Sequence, residues 1–289
     1  MFEKFFNQFV NFVALQNGRC VIYLQAKPLN LLVMKKLNLL SMAAALSMGV
    51  SAQVNLVTNL KVCMPFNGNA NDISGNGNNG VIVGATLTSD RFGNPNSAYS
   101  FGTGKYITLP NLSALQTNNE MSISMWAKTT LNTSNCLFIL NPDNYNDRCV
   151  GCAGYDNAGS SMVIFDYGAI PSGRSVYTGI PVDLSGWHHY VFIVSQSGNF
   201  KRIYRDGVKY VDDPYTLTCN NKNLPLQIGG GYDQGGGNIF FRGDIDDICI
   251  YNRALNDSEV VALYNNINTC FLTGINELSP KFKLLVYPT

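Results

Sequence analysis

The chain has 289 residues, with 20 Lys and Arg against 19 Asp and Glu, a formal net charge of +1. That balance excludes a general attraction to nucleic acid or to an anionic membrane surface, which needs a surplus of basic side chains. Hydrophobic residues at 46%, with 11% aromatics, exclude intrinsic disorder, and 27 Gly beside abundant Asn and Ser point to strands joined by many turns.

The N-terminal segment reads as separate from the fold. Met34-Lys35-Lys36 precedes an uncharged run from Leu37 to Val50, and Val50-Ser51-Ala52 stands before Gln53. A basic start, a short apolar stretch and small residues at the cut make residues 34–52 a secretory signal peptide. The apolar run is too short for a bilayer-spanning helix, which needs about 20 residues. Residues 1–33 carry Phe2, Phe5, Phe6, Phe9 and Phe12 and read as having neither a capped helix nor turn chemistry. They are upstream sequence ahead of a start at Met34, or an N-terminal membrane anchor. Cutting before Gln53 removes Lys4, Arg19, Lys27, Lys35, Lys36 and Glu3, which leaves 15 basic and 18 acidic residues. The expected mature chain has no transmembrane helix, uses export machinery as a partner, and is secreted or sits on a bacterial cell surface. Seven cysteines remain, disulfides are permitted there, and an odd number leaves at least one thiol outside any internal pairing.

Short apolar or alternating runs then recur between turn clusters. Leu60–Phe66 leads into the turn Asn67–Asn79; strands are predicted at Val81–Val83, Ala98–Phe101 and Tyr106–Leu109. Met121–Lys128 alternates apolar and polar residues, and Cys136–Leu140 and Ser161–Asp166 flank a long loop, 141–159. Tyr190–Val194, Phe200–Arg205 and Val208–Val211 form a meander, with Asp206-Gly207 as a two-residue hairpin turn. Leu226–Gly229, a Gly-rich loop at 229–237 and Ile239–Tyr251 follow. Asn256 with Glu259 three residues on reads as a capping box, opening one helix with Val260, Val261 and Leu263 on its apolar side. Many short strands and one terminal helix predict an all-β sandwich or jelly roll.

Particular motifs resemble one family. Cys63–Gly80, Asp90-Arg91-Phe92-Gly93, Ala98-Tyr99-Ser100-Phe101, Ser122–Trp126, Gly186-Trp187-His188-His189-Tyr190 and Phe241–Leu255 stand in the order found in laminin-G-like, concanavalin A-like lectin and glucanase jelly rolls. The resemblance implies a jelly-roll β-sandwich with one short C-terminal helix over 53–272, with 273–289 as a linker. Leu278–Thr289 resembles the start of the C-terminal sorting domain read by the type IX secretion system, truncated here; an ordinary linker is the alternative.

The resemblance is weak for function, because one fold hosts many activities. The glycosidases of this fold need two carboxylates, on a Glu-x-Asp-x-x-Glu strand. The mature chain has only Glu120, Glu259 and Glu277, none with an Asp two residues later, so that enzyme type is excluded. His188 and His189 are neighbours, point to opposite faces of a strand, and cannot serve one metal or one triad. Cys149-x-x-Cys152 lacks the second pair that zinc needs.

A structural calcium is the cofactor the resemblance implies. It is placed on Asp72 in the turn after the first strand and Asp246 on the last strand, which the fold makes neighbours, with Asp247 and Asn67 in reserve. The same adjacency offers Cys63 a disulfide to Cys249 or Cys270. Cys149 and Cys152 read as disulfide material that Cys136 and Cys219 could join. For carbohydrate, aromatic faces among amides and carboxylates mark Tyr145 and Tyr155 in one rim loop, and Tyr232, Asp233 and Gln234 in another. The expected function is therefore a surface binding module for a polysaccharide or glycoprotein, against a purely structural or adhesive domain and a catalytic jelly-roll hydrolase or lyase.

Overall fold

The computed structural model describes residues 10–16, 19–24, 54–112, 119–129, 136–140, 148–157, 160–168, 173–177, 186–215, 225–233 and 237–265. The chain divides into two units, Met1–Gln53 and Val54–Thr289. In the first, β1 (Val10–Gln16) and β2 (Arg19–Leu24) pair antiparallel, with Ala14 opposite Val21. This corrects the reading of that stretch as without turn chemistry, since Asn17-Gly18 between the strands is itself a hairpin signal.

The second unit is built on two large sheets. One holds β4 (Val81–Val83), β7 (Tyr106–Asn111), β9 (Cys136–Leu140), β10 (Arg148–Asn157), β11 (Ser160–Gly168), β12 (Arg174–Tyr177) and β16 (Pro225–Ile228), in the order β12-β11-β10-β9-β16-β7-β4. The other holds β5 (Thr86–Thr88), β6 (Ala98–Phe101), β8 (Glu120–Thr129), β13 (His188–Ser195), β14 (Phe200–Arg205), β15 (Val208–Pro214) and β19 (Gly243–Tyr251), in the order β15-β14-β13-β8-β19-β6-β5. The first strand of the unit, β3 (Leu60–Met64), pairs with the last, β19, as expected, Cys63 lying opposite Cys249. A separate hairpin joins β17 (Gly230–Asp233) to β18 (Gly237–Phe240), where the sequence was read as a Gly-rich loop.

Alternation makes the core. Met121, Ile123, Met125 and Ala127 of β8 and Tyr190, Phe192 and Val194 of β13 face Ile107, Leu109, Phe138, Phe165 and Ile228 of the other sheet. Phe192 meets Phe138 at 5.2 Å and Phe165 at 5.6 Å between ring centres. Each such fully buried side chain contributes about 1.5–3 kcal/mol relative to exposure. β10 was missed because Cys149-Val-Gly-Cys-Ala has small residues and no alternation; its Gly151 leaves room for Phe138, whose ring a Cβ would meet at 2.2 Å.

The second apolar layer lies on the outer face of the eight-stranded sheet. Asn256 and Glu259 cap each other reciprocally, Asn256 Oδ1 accepting from the Glu259 amide at 3.0 Å and Glu259 Oε2 from the Asn256 amide at 2.8 Å. The helix they start, α1 (Asp257–Asn265), buries Val260 and Leu263 against Val191, Ile193, Tyr204, Cys63, Cys249 and Tyr251. Val261, expected on the apolar side, is 42% exposed, since it sits a third of a turn away.

The cysteines differ from expectation. Cys136, Cys149, Cys152 and Cys249 are thiols. Cys149 joins the inter-sheet core while Cys152, three positions on, faces out with Cys136, Ile139 and Met162, so the two cannot pair with each other. Cys249 Sγ stands 3.7 Å from Cys63 Sγ, well beyond the roughly 2.05 Å of an S–S bond, which overturns a Cys63–Cys249 disulfide. Cys63 is disulfide-bonded, and none of the described cysteines is its partner. Cys219 and Cys270 lie outside the described residues.

Non-reducing peptide mapping after alkylation in denaturant is expected to find Cys136, Cys149, Cys152 and Cys249 alkylated without reductant. A cross-linked peptide joining Cys63 to Cys249 would contradict the strand geometry.

Candidate functional site

The outer face of the eight-stranded sheet is set by the parity of its strands. With Met125 and Ala127 inward, Ser124, Trp126 and Lys128 of β8 face out. With Ile245 inward, Asp244 and Asp246 of β19 face out, Asp244 opposite Lys128 and Asp246 opposite Trp126. His189 of β13 lies opposite Trp126 on the other side. The α1 helix covers the rows at Val191 and Ile193; the row holding Lys128 and Asp244 lies beyond it.

Arg91 fills the join between these strands. Asp90 Oδ1 accepts from the Phe92 and Asn94 amides, each at 2.8 Å, and the turn thus fixed directs Arg91 inward. Its Nη1 lies 3.1 Å from Asp246 Oδ2 and also bonds Asp247 Oδ2, with the Arg91 side chain only 6% exposed. The two aspartates occupy a bulge in β19, where the register with β8 shifts and Asp247 takes a φ of 47°. At the same point the other neighbour of β19 changes from β6 to β3. The guanidinium carbon is 4.5 Å from the ring centres of both Trp126 and Phe92. Burial, then the adjacent Asp247 charge, pushes the Asp246 carboxyl up, against the pull of Arg91.

Trp126 lies 5.3 Å from His189 and stacks on Tyr264 of α1 at 5.7 Å. His189 is fully buried, its Nε2 2.8 Å from Ser124 Oγ, and burial lowers its pKa to about 3, with Asp206 opposing and Arg91 adding to the effect. Trp126 Nε1 and His189 Nδ1 are both buried without a hydrogen-bond partner. His188, half-buried, sets Nδ1 2.7 Å from Asp206 Oδ2 and Nε2 2.8 Å from Arg205 Nη2. Burial alone raises the Asp206 pKa, but the bonds from His188 and the His189 amide outweigh it and hold the carboxyl low. The Asp206-Gly207 turn that places this carboxylate has φ of 52° and 77°, as its two-residue hairpin requires.

At the uncovered end, Lys128 Nζ is 3.2 Å from Asp244 Oδ2 and 5.4 Å from the centre of the Trp187 ring. Trp187 is half-buried, and Lys128 and Asp244 keep 33% and 15% of their side-chain surface. An aromatic ring, a cation and a carboxylate thus stand side by side in contact with solvent, with Trp126 one step along the same face.

The calcium residues already have donors. Asp72 Oδ1 accepts from the Cys63 and Ser74 amides, and Oδ2 from Ser74 Oγ and the Asn78 amide, all at 2.9 Å. Asp246 and Asp247 share Arg91, and Asn67 is exposed in its turn. Among the described residues no three His, Cys, Asp or Glu side chains gather as a metal-binding group. A calcium on Asp72 and Asp246 would have to displace a turn cap and a guanidinium, so the described residues do not fit it as they stand. Tyr145 and Gln234 lie outside the described residues; Tyr155, Tyr232 and Asp233 are placed in β10 and β17 by their backbone alone. Glu120 accepts from Ser195 Oγ, Ser197 Oγ and the Ser197 amide, and Glu259 holds the helix cap and Arg253.

A family model described as concanavalin A-like lectin/glucanases superfamily (Laminin_G_3) matches residues 101–261, more than half of the chain. The chain belongs to this superfamily. No curated protein matches it in sequence. Among solved structures it is similar to domain 4 of AbnA, an extracellular arabinanase from Geobacillus stearothermophilus, solved in complex with arabinotriose. That match has 22% identity and a TM-score of 0.54, and covers 71% of this chain and 98% of that one. It is similar also to the binding domain of Paraclostridial Mosquitocidal Protein 1 (18%, TM-score 0.54, covering 73% and 53%). A botulinum neurotoxin type C structure, described by the dependence of cell entry on two ganglioside molecules, matches at 13% and TM-score 0.53, covering 73% and 52%. The chain spans about half the length of these two toxin structures. At such identities the likeness shows a shared fold. Among the described residues no helix is long and apolar enough to cross a membrane.

Arg91, Trp126, Trp187 and the histidines stand in the family-like motifs, but sequence alone does not gather them into a site. Arg91 carried a usable signal: it is the cation of an Asx-turn tetrapeptide in a region with no other charge between Asp72 and Lys105 except Asp90.

Replacing Arg91 with Met leaves two buried carboxylates without their cation and should cost about 3–5 kcal/mol in denaturant unfolding. Chelator is expected to leave the wild-type melting temperature unchanged; a rise on adding calcium would restore the metal reading. His189 should make stability depend on pH. Between its unfolded value near 6.5 and its folded value of about 3 the unfolded chain takes up the proton and the folded one does not. Its contribution is therefore whole above pH 6.5 and shrinks as pH falls towards 3. Asp246, raised rather than lowered, acts in the opposite sense. Comparison with His189→Gln isolates the histidine, and the stability gap between the two proteins should narrow on acidification.

Proposed function

We propose that this domain is a non-catalytic carbohydrate-binding module, secreted or held on a bacterial cell surface, that takes its ligand on the uncovered end of the outer sheet face. One observation carries the reading. Trp187, half-buried, stands beside the Lys128–Asp244 pair where α1 leaves the sheet open. A flat ring offers the C–H face of a sugar a stacking surface, and the neighbouring charged pair supplies hydrogen bonds that fix its orientation. The similar structures support the same class, since their descriptions name arabinotriose, gangliosides and a binding domain. Glu120 and Glu259 are committed to a turn and a helix cap, which fits binding better than acid–base catalysis.

Export by the segment at residues 34–52, and sorting by the Leu278–Thr289 tail, belong to the same proposal. So do the rim residues Tyr145, Tyr155, Tyr232, Asp233 and Gln234 as further ligand contacts.

Trp187→Ala should weaken binding in a glycan screen followed by calorimetry by at least tenfold, because stacking on an aromatic ring accounts for a large part of the affinity for a sugar. Its melting temperature should stay within a few degrees. Tyr232→Ala serves as the comparison: if it abolishes binding and Trp187→Ala does not, the site lies at the rim.

A further inference from the structure

We infer that the strip takes an uncharged glycan, gripping two neighbouring hydroxyls with the Lys128–Asp244 pair while the ring lies on Trp187. The inference rests on the glycan-binding reading above. It starts from the charge arrangement. The two cations beside Trp126 and Trp187 already lie against carboxylates: Lys128 against Asp244 at 3.2 Å, and Arg91 against Asp246 at 3.1 Å and against Asp247. Three carboxylates thus face two permanent cations. A uronate or sulfate group would bring its charge beside Asp244, where Lys128 is already engaged, and like charges in a partly buried site are costly.

A neutral diol meets no such barrier. An ammonium has three donors and a carboxylate about four acceptor positions, so the bond between Lys128 and Asp244 leaves capacity on both. Adjacent sugar hydroxyls each donate and accept, and can bridge the two groups without separating them. The solvent-facing surface that Lys128 retains, 33% of its side chain, is where that capacity points outward.

The test is calorimetric titration of the whole chain with neutral arabinan and neutral β-glucan oligosaccharides, and with polygalacturonate and a sulfated glycan, at 50 and 500 mM NaCl. A neutral glycan should bind with an affinity that changes less than about twofold across that range, because nothing is screened. Asp244→Asn, nearly isosteric, and Lys128→Met should each weaken it at least fivefold. Asp244→Asn keeps the comparison valid should Lys128→Met fail to fold. Binding of the acidic glycans that falls steeply with salt would overturn the inference while leaving a glycan-binding module. So would neutral binding indifferent to both substitutions. Binding to none of the four would overturn this inference together with the reading it rests on.

Discussion

One buried cation holds the outer face together. β19 must pair with β8 along one edge while changing partners on the other, from β6 to β3, and at that change its backbone bulges. Two consecutive aspartates at the bulge would repel each other in a low dielectric, and Arg91 from a distant turn settles the conflict by binding both. The same guanidinium lies over Trp126, so it fixes the ring that in turn meets His189 and Tyr264. A buried ion pair of this type is not a large net source of stability. What it specifies is where β3 and β6 meet end to end.

The helix and the strip are complementary uses of one face. α1 starts where the Asn256–Glu259 cap holds it, and Arg253 ties Glu259 back to the carbonyls of Asn55 and Thr58. Nine residues then cover the apolar rows and end with Tyr264 near Trp126. Beyond that length the strands carry Lys128 and Asp244 in place of Val and Ile, and the sheet is left to solvent.

Much of the architecture was legible because alternation and turn chemistry are strong local signals. Met121–Lys128, the Asp206-Gly207 turn and the Asn256–Glu259 box each announced the element found. The neighbouring positions of β3 and β19 followed from the family resemblance. β10 was illegible, since strands buried on both sides lose the polar alternation by which strands are read, and its Cys149 and Cys152 therefore looked like loop disulfide material. The candidate site was illegible for a different reason. Lys128 and Asp244 come from two strands and Trp187 stands just before a third, and only the register of β13, β8 and β19 brings them together. Asp72 and Asp246 were read as calcium ligands, but sequence cannot show that amides and Arg91 reach them first.

The pairing of β3 with β19 joins residues 60–64 to residues 248–251, the two ends of the domain. Closing so long a loop is entropically expensive, and sandwiches dominated by such distant contacts fold slowly. A nascent chain lacks the strand that occupies the middle of its larger sheet until almost the whole domain has been synthesised. β8 can meet β13, and β5 can meet β6, early, but β3 has no partner strand and β6 cannot join β8 before β19 arrives. The order of synthesis therefore lets local hairpins form one by one, while the sheet that joins the two ends of the domain closes only once β19 has been made.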